Sequence, residues 1–420
     1  MCPELNSEND SIRRRSINLL GKLLSDTTLF FDDQTAQVFF DFFYKRLGDV
    51  AVAEELLKAM NSLYERFPAA MSNSVLPCIQ YLAKDIRVGT FKYSSRKLVY
   101  NLLTSFFTDP PSSLQSHDEE IGSSIIENEK DPRGVVQVCR LLHLTLLHFP
   151  HLSPNTLNDL EMLGIGYFPV TYVTPPLVSG NIDLVTSDAV KTAVIEAITS
   201  IQRCTPLLLP YLETSLRDTS PNSKEQAALA LLRLIEKHGW SRAMTPDAAM
   251  TDAEADRWSD LILSEFVEAP AKSTQETALL QVIERVTRGS EREWRERWAA
   301  RARAFVEKNP VNGEVEHWTW VLRCAALADP AFFDQYSRDL WNSIAATENR
   351  DIANSLLAVL LQVLLPHSVE ELRHVPFLEQ IGDRIERSVS QLTILSYRSL
   401  PNDAVPYILV HIVHNVPIMN

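Results

Sequence analysis

Five cysteines are the first candidates for chemistry, because thiolates bind metal, hold iron–sulfur clusters and act as nucleophiles. They stand at Cys2, Cys78, Cys139, Cys204 and Cys324, and the nearest two are 139 − 78 = 61 residues apart. A cluster site draws several cysteines together, usually with some at short spacing. The scatter reads instead as free thiols in a reducing compartment. His143, His148 and His151 are spaced by 5 and 3, with Pro150 between the last two. That spacing makes no single helical face, so they read as ordinary helix-end histidines. His411 and His414 stand at i, i+3 with no acidic or cysteine neighbour, which is too little for a metal site. There is no Gly-rich phosphate loop, no nucleophile elbow and no His-Glu metal motif. The expectation is a protein with no catalytic residue, no metal and no cofactor.

Charged groups are the second candidates. Arg13, Arg14 and Arg15 could meet phosphate or an acidic partner. Consecutive helical residues point in different directions, so they read as a solvated face or as arginines packing between repeats. The stretch EREWRERWAARARAFVEK at 291–308 mixes aromatics with cations. Its glutamates alternate with its arginines and cancel the field; Glu291–Arg295 and Glu293–Arg297 are helix-stabilising pairs, with Trp294, Trp298, Ala302 and Phe305 as the buried stripe.

One segment has the composition of a contact surface. Residues 164–185, GIGYFPVTYVTPPLVSGNIDLV, form a long non-helical insert in a helical chain. Phe168 and Thr174 precede prolines and are pushed towards extended backbone. Aromatic and proline side chains present much area at low entropic cost. Tyr167, Phe168, Pro169, Tyr172, Pro175 and Pro176 are therefore the candidate partner-binding residues. The competing reading is a plug docked on the protein's own flank.

The elements that position this insert repeat along the chain. Residues 206–239 read as two antiparallel helices. The first covers 206–216, the turn is 217–220, and the second starts with Ser220 as N-cap and Pro221 in the first turn and ends at Gly239. The same unit recurs: Asp10, Asp49, Lys92 and Asp131 each precede a helix, at steps of 39, 43 and 39 residues, and Thr186 or Ser187 caps another. Partner helices lie between, such as 35–47 with Ala36, Phe39, Phe40 and Phe43 inward. A period near 40 is that of HEAT-type helix pairs, each burying its apolar face only against its neighbours. The predicted fold is all-α, an α-solenoid of HEAT/armadillo-type helix pairs with one long non-helical insert. Residues 1–240 form the regular N-terminal region and 241–420 continue it less regularly, with a soft boundary at 240–252. Helices are expected there at 252–267, 274–287, 291–306, 314–327, 333–346, 351–365 and 377–399. Residues 110–128 are polar and acidic and are expected to be a mobile loop.

Composition limits the partners. The chain has 420 residues, 45% of them hydrophobic, and a net charge of −14. An acidic surface argues against direct nucleic-acid binding, which needs cations to displace counterions. The longest apolar run, 356–366, is broken by Gln362 and is too short for a bilayer, so no membrane partner is expected. The polar start MCPELNSEND is no signal peptide. The chain opens on what reads as the second helix of a pair and closes on the apolar AVPYILVHIVHNVPIMN, so both ends read as cut.

Specific residues carry a resemblance. Glu129-Lys130-Asp131-Pro132-Arg133 opens a helix; Gly166-Tyr167-Phe168-Pro169-Val170-Thr171-Tyr172 and Pro175-Pro176 follow, then Leu208-Leu209-Pro210-Tyr211-Leu212 and Lys224. This order and spacing resembles the N-terminal region of the methyl-methanesulfonate-sensitivity "nineteen" family, HEAT-repeat targeting adaptors of cytosolic iron–sulfur protein assembly. Gly166 stands where that family usually has cysteine, and Leu177-Val178-Ser179-Gly180 where an Asn-Asp-Pro run is usual. The resemblance covers 12–239, and family members are about twice as long or more. It implies an adaptor without catalysis, located in nucleus and cytoplasm. Its partners would be iron–sulfur assembly complex subunits and client apoproteins such as helicases and polymerases of DNA repair, replication and transcription. The alternative is an unrelated HEAT scaffold of phosphatase or nuclear-transport type.

Overall fold

The computed structural model describes residues 3–26, 31–114, 117, 121–122, 129–175, 184–240, 252–270, 272–289, 298, 300–301, 335, 338–339 and 342. Among these there are twelve α-helices and no strand. The chain divides into two compact units, Met1–Lys237 and His238–Asn420.

In the first unit the helices are α1 (Asp10–Ser25), α2 (Asp33–Tyr44), α3 (Ala53–Arg66), α4 (Ser72–Lys84), α5 (Tyr93–Thr108), α6 (Pro132–His148), α7 (Pro154–Ile165), α8 (Ser187–Ile198), α9 (Thr205–Leu216) and α10 (Pro221–His238). Polar residues before the first turn start most of them. The side chains of Asn9, Asp32, Asp131, Ser153 and Thr186 each accept a hydrogen bond from an amide of the first turn. Pro132 and Pro154 sit where no N–H is needed. Gly239 follows α10 at φ +79°, a left-handed stop that a Cβ would strain.

Three expected details differ. The cap of α1 is Asn9, and Asp10 is already helical. Asp49 lies three residues ahead of Val52, the residue that precedes α3, and its carboxylate accepts from Arg13 at 2.8 Å instead of capping that helix. Helix α2 runs Asp33–Tyr44 rather than 35–47; Ala36, Phe40 and Phe43 are fully buried, whereas Phe39 is only half-buried.

Helices α1, α3, α5, α6 and α8 pack on one another in succession, forming one row. In the second row α2 packs on α3 and α4, and α7 on α6 and α8. An apolar face repeated at helical spacing drives this stacking. Leu56, Leu57, Met60 and Leu63 of α3 and Leu102, Leu103, Phe106 and Phe107 of α5 have no exposed surface. Truncating such a leucine to alanine costs about 2–5 kcal/mol. Polar links cross from repeat to repeat at nearly the predicted period. Glu54 accepts from Ser94 (2.8 Å), the Asn61 amide donates to the Leu98 carbonyl (3.1 Å), and Lys237 pairs with Glu196 (2.7 Å). Their separations are 40, 37 and 41 residues. Of the polar stretch 110–128, the described Leu114 and Ile121 are fully buried, and 115–116, 118–120 and 123–128 lie outside the described residues.

In the second unit α11 (Asp252–Glu268) and α12 (Thr274–Gly289) pack together. Helix α11 stops before Pro270, and the Ser273 hydroxyl accepts from the Glu276 amide at the start of α12. Trp298 is fully buried, edge-on to Trp240 with centroids 6.2 Å apart. Arg301 pairs with Asp256 at 3.1 Å. Residues 241–251 of the soft boundary, those of 291–306 other than 298, 300 and 301, and nearly all of those expected at 314–327, 333–346, 351–365 and 377–399 lie outside the described residues.

Candidate functional site

The insert begins later than its sequence suggests. Helix α7 runs through Ile165, and the described non-helical parts are 166–175 and 184–186. Its backbone then turns, with the Tyr167 and Phe168 amides donating to the carbonyls of Gly164 and Ile165. The Phe168–Pro169 peptide is cis.

The backbone bends at Pro169 and then runs without helix or strand to Pro175, and side-chain burial changes from residue to residue along it. Phe168 and Val170 are buried, while Thr171, Val173 and Pro175 are exposed, Val173 to 80%. Two clamps hold this strip. Gln226 of α10, itself fully buried, accepts from the Val170 amide (2.8 Å) and donates to the Val170 carbonyl (3.0 Å). Asn222, one turn earlier on α10, donates to the same carbonyl (2.9 Å). The second clamp is the start of α8. The Tyr172 hydroxyl donates to the Val185 carbonyl (3.1 Å), the Ser187 hydroxyl donates to the Tyr172 carbonyl (2.8 Å), and the Ser187 amide donates to the Thr174 hydroxyl (2.6 Å).

The first clamp satisfies both polar groups of one buried peptide with one amide side chain. Leucine at Gln226 leaves the Val170 N–H without a partner. We expect Gln226→Leu to lower the unfolding free energy by about 2 kcal/mol. Gln226→Glu keeps the acceptor but sets a buried carboxylate against the Val170 carbonyl, so it costs at least as much as Gln226→Leu. Urea unfolding of the three proteins checks the order.

The proline-capped helix α6 supplies the neighbouring anchor. Glu129 is buried, and its carboxylate accepts from Arg96 (2.9 and 3.2 Å), from the Asp131 amide (3.0 Å) and from the Tyr100 hydroxyl. Burial opposes its ionisation, but the bonds from Tyr100, the Asp131 amide and Arg96 outweigh this and hold the carboxyl below its usual range. Asp131 caps α6 and binds Arg133, whose guanidinium stacks 3.9 Å from the Tyr93 ring centroid. The Tyr167 hydroxyl is buried beside Cys139 and the Glu129 backbone, and burial pushes it up to about 12.

Of the six residues singled out in the sequence, Phe168 faces inward. Tyr167, Pro169 and Tyr172 are half-buried, Pro175 is exposed, and Pro176 lies outside the described residues. Val170, Val173, Asn222 and Gln226 were not singled out. The alternation along 168–173 could have pointed to the first two, and a glutamine on an apolar helix face to the last. The remaining candidates for chemistry are dispersed. Cys78, Cys139 and Cys204 are buried free thiols, all pushed up by burial, Cys139 to about 12. His143 bonds Ser200 (2.7 Å), and burial lowers its pKa. Among the described residues no three His, Cys, Asp or Glu side chains gather to hold a metal ion, and no helix is long and apolar enough to cross a membrane. Arg13 links to Asp49 and Arg14 to Glu55, the role of arginines between repeats.

What the arrangement offers is a rigid exposed strip on a helical scaffold. Three comparisons bear on it. Residues 1–249 match the family model MMS19_N, described as "Dos2-interacting transcription regulator of RNA-Pol-II". Among curated proteins none matches the chain. The crystal structure of Kap121p bound to RanGTP is similar at a TM-score of 0.54 and 12% identity, over 99% of this chain and 44% of that one. The structure of Kap121p alone gives 0.46 at 12% identity, over 99% and 45%. The chain thus spans less than half the length of Kap121p. At this identity the likeness speaks for the fold, a HEAT-repeat solenoid.

Proposed function

Since the chain belongs to the MMS19 N-terminal family, we propose that it is a non-catalytic adaptor of cytosolic iron–sulfur protein assembly. In this reading it holds assembly-complex subunits and an apoprotein client together. Clients would be iron–sulfur helicases and polymerases of DNA repair, replication and transcription. It would work in nucleus and cytoplasm, without direct contact to nucleic acid or membrane. An adaptor needs no cluster of its own; it raises the effective concentration of one partner near another. The observation that carries this reading is the family match over 1–249.

The partner strip in this proposal is the outward edge of 171–175, with Val173 and Pro175 as contacts and the inward residues as its mount. Affinity purification of the whole chain from its own cells, read by mass spectrometry, tests both levels. Assembly-complex subunits together with iron–sulfur helicases or polymerases are expected. Transport or phosphatase partners in their place would overturn the adaptor reading and leave a scaffold of another kind. Val173→Asp, at a site 80% exposed, should lose at least one of these partners with an unchanged melting temperature. Full retention would remove the strip from the interface.

A further inference from the structure

Helix α1 carries an apolar stripe that the first unit leaves uncovered. Ile12, Leu19 and Leu23 are 43%, 59% and 47% exposed. At i, i+7 and i+11 they fall within roughly 40° of one another around the helix. The opposite face is committed: Ile17 and Leu24 are buried, and a Cβ at Gly21 would stand 3.2 Å from the Ala59 Cβ. The helix therefore cannot rotate to bury its stripe without losing its packing on α3. Arg15 and Lys22 flank the stripe on one side, both exposed. Arg13 is held by Asp49 and Asp10, and Arg14 by Glu55 and the Ala51 carbonyl, whereas Arg15 and Lys22 have no carboxylate partner among the described residues. From Ile12 to Leu23 the sequence IRRRSINLLGKL contains no aspartate or glutamate.

We propose that this face of α1 docks an amphipathic helix of a partner protein, one whose apolar stripe is flanked by acidic residues. Apolar side chains at helical spacing, bordered by charge, are the recognition surface of helix-in-groove contacts, and the charge sets which partner fits. A second copy of α1 brings two more uncompensated cations and no counter-charge. An anionic membrane presents a plane to a chain of net charge −14, while a single helix meets only the local cations within a Debye length. The surface does not depend on the iron–sulfur reading, and its test stands apart from that of the 171–175 strip.

The test uses the full chain and two fluorescein-labelled amphipathic helical peptides with the same leucine stripe, one flanked by glutamates and one by lysines. Fluorescence anisotropy should show the glutamate peptide binding about tenfold or more tighter near physiological salt, with the gap closing at high salt. Leu19→Asp with Leu23→Asp should abolish binding. Arg15→Glu with Lys22→Glu, two exposed positions, should invert the preference with an unchanged thermal midpoint. Equal binding of the two peptides, binding of neither, or an unmoved preference in the charge-swapped variant overturns the proposal. So does a self-association seen by sedimentation equilibrium, or binding to phosphatidylserine vesicles, that Leu19→Asp removes.

Discussion

Replacing Gly134 by alanine should destabilise the first unit by about 4 kcal/mol, although the same change in an exposed helix would stabilise it by about 1 kcal/mol. The added Cβ would overlap the Cδ, Oε2 and Cγ atoms of Glu129. Gly134 is the third residue of α6, and the helix backbone cannot withdraw, because Asp131 and Pro132 fix its start. The carboxylate must leave. Arg96, with its side chain 15% exposed, then loses its closest carboxylate and keeps only that of Asp131 at 4.0 Å, and the buried Tyr100 hydroxyl loses its acceptor. Breaking one side of a buried, hydrogen-bonded pair is the expensive case. A double-mutant cycle isolates the cause. Glu129→Ala is itself costly, but adding Gly134→Ala to it should be neutral or slightly stabilising, since no carboxylate remains to be displaced. Urea midpoints of the four proteins measure this. Additive losses would show that Gly134 is needed for something other than room for Glu129.

The second large effect is a dependence of stability on pH. Glu161 of α7 is 2% exposed, among the described residues it faces no cation but only the Cys204 thiol, and burial raises its pKa to about 8 from 4.5. The Cys204 thiol is only a weak donor to the carboxylate and offsets part of this. The folded state therefore keeps the proton that the unfolded chain releases. Below pH 4.5 the carboxyl is neutral in both states and the burial is harmless. As pH rises towards 8 only the unfolded chain ionises, and stability falls by on the order of 4 kcal/mol. His143 has the opposite sign: its lowered pKa withdraws stability as pH drops below about 6.5. The range from 6.5 to 8 consequently reports on Glu161, with roughly two fifths of the total loss. Glu161→Gln, neutral at every pH, should flatten that range and exceed the parent in stability at pH 8. A parent protein whose urea midpoint does not move between pH 6.5 and 8 would refute the assignment.

Much of this architecture was written locally. Pro132 after Asp131, Pro154 after Ser153 and Gly239 after α10 mark helix ends in the sequence because capping depends on the nearest few residues. The period near 40 was legible because each repeat buries the same kind of face against its neighbour. The site was legible only in outline. Aromatics and prolines marked 164–185 as unlike the rest, yet not which side chains would turn inward. That was decided by Gln226 and Asn222, more than 50 residues away, which bind the Val170 peptide and so set the alternation for Phe168, Thr171 and Val173. The roles of Glu129 and Gly134 also escaped sequence reading. A glutamate before a helix reads as a solvated charge until Arg96 and Tyr100, 33 and 29 residues earlier, are folded against it.

Among the described residues the sequence by itself determined where most helices lie, several of their caps and the repeat that stacks them, because propensity, capping and apolar periodicity act within one or two turns. Tertiary structure alone decided which carboxylate is paired with a cation and which is not, which edge of the insert faces outward, and that one face of α1 stays apolar and exposed. Those outcomes depend on groups that meet only when distant repeats pack, and no local pattern encodes the partner on the other side.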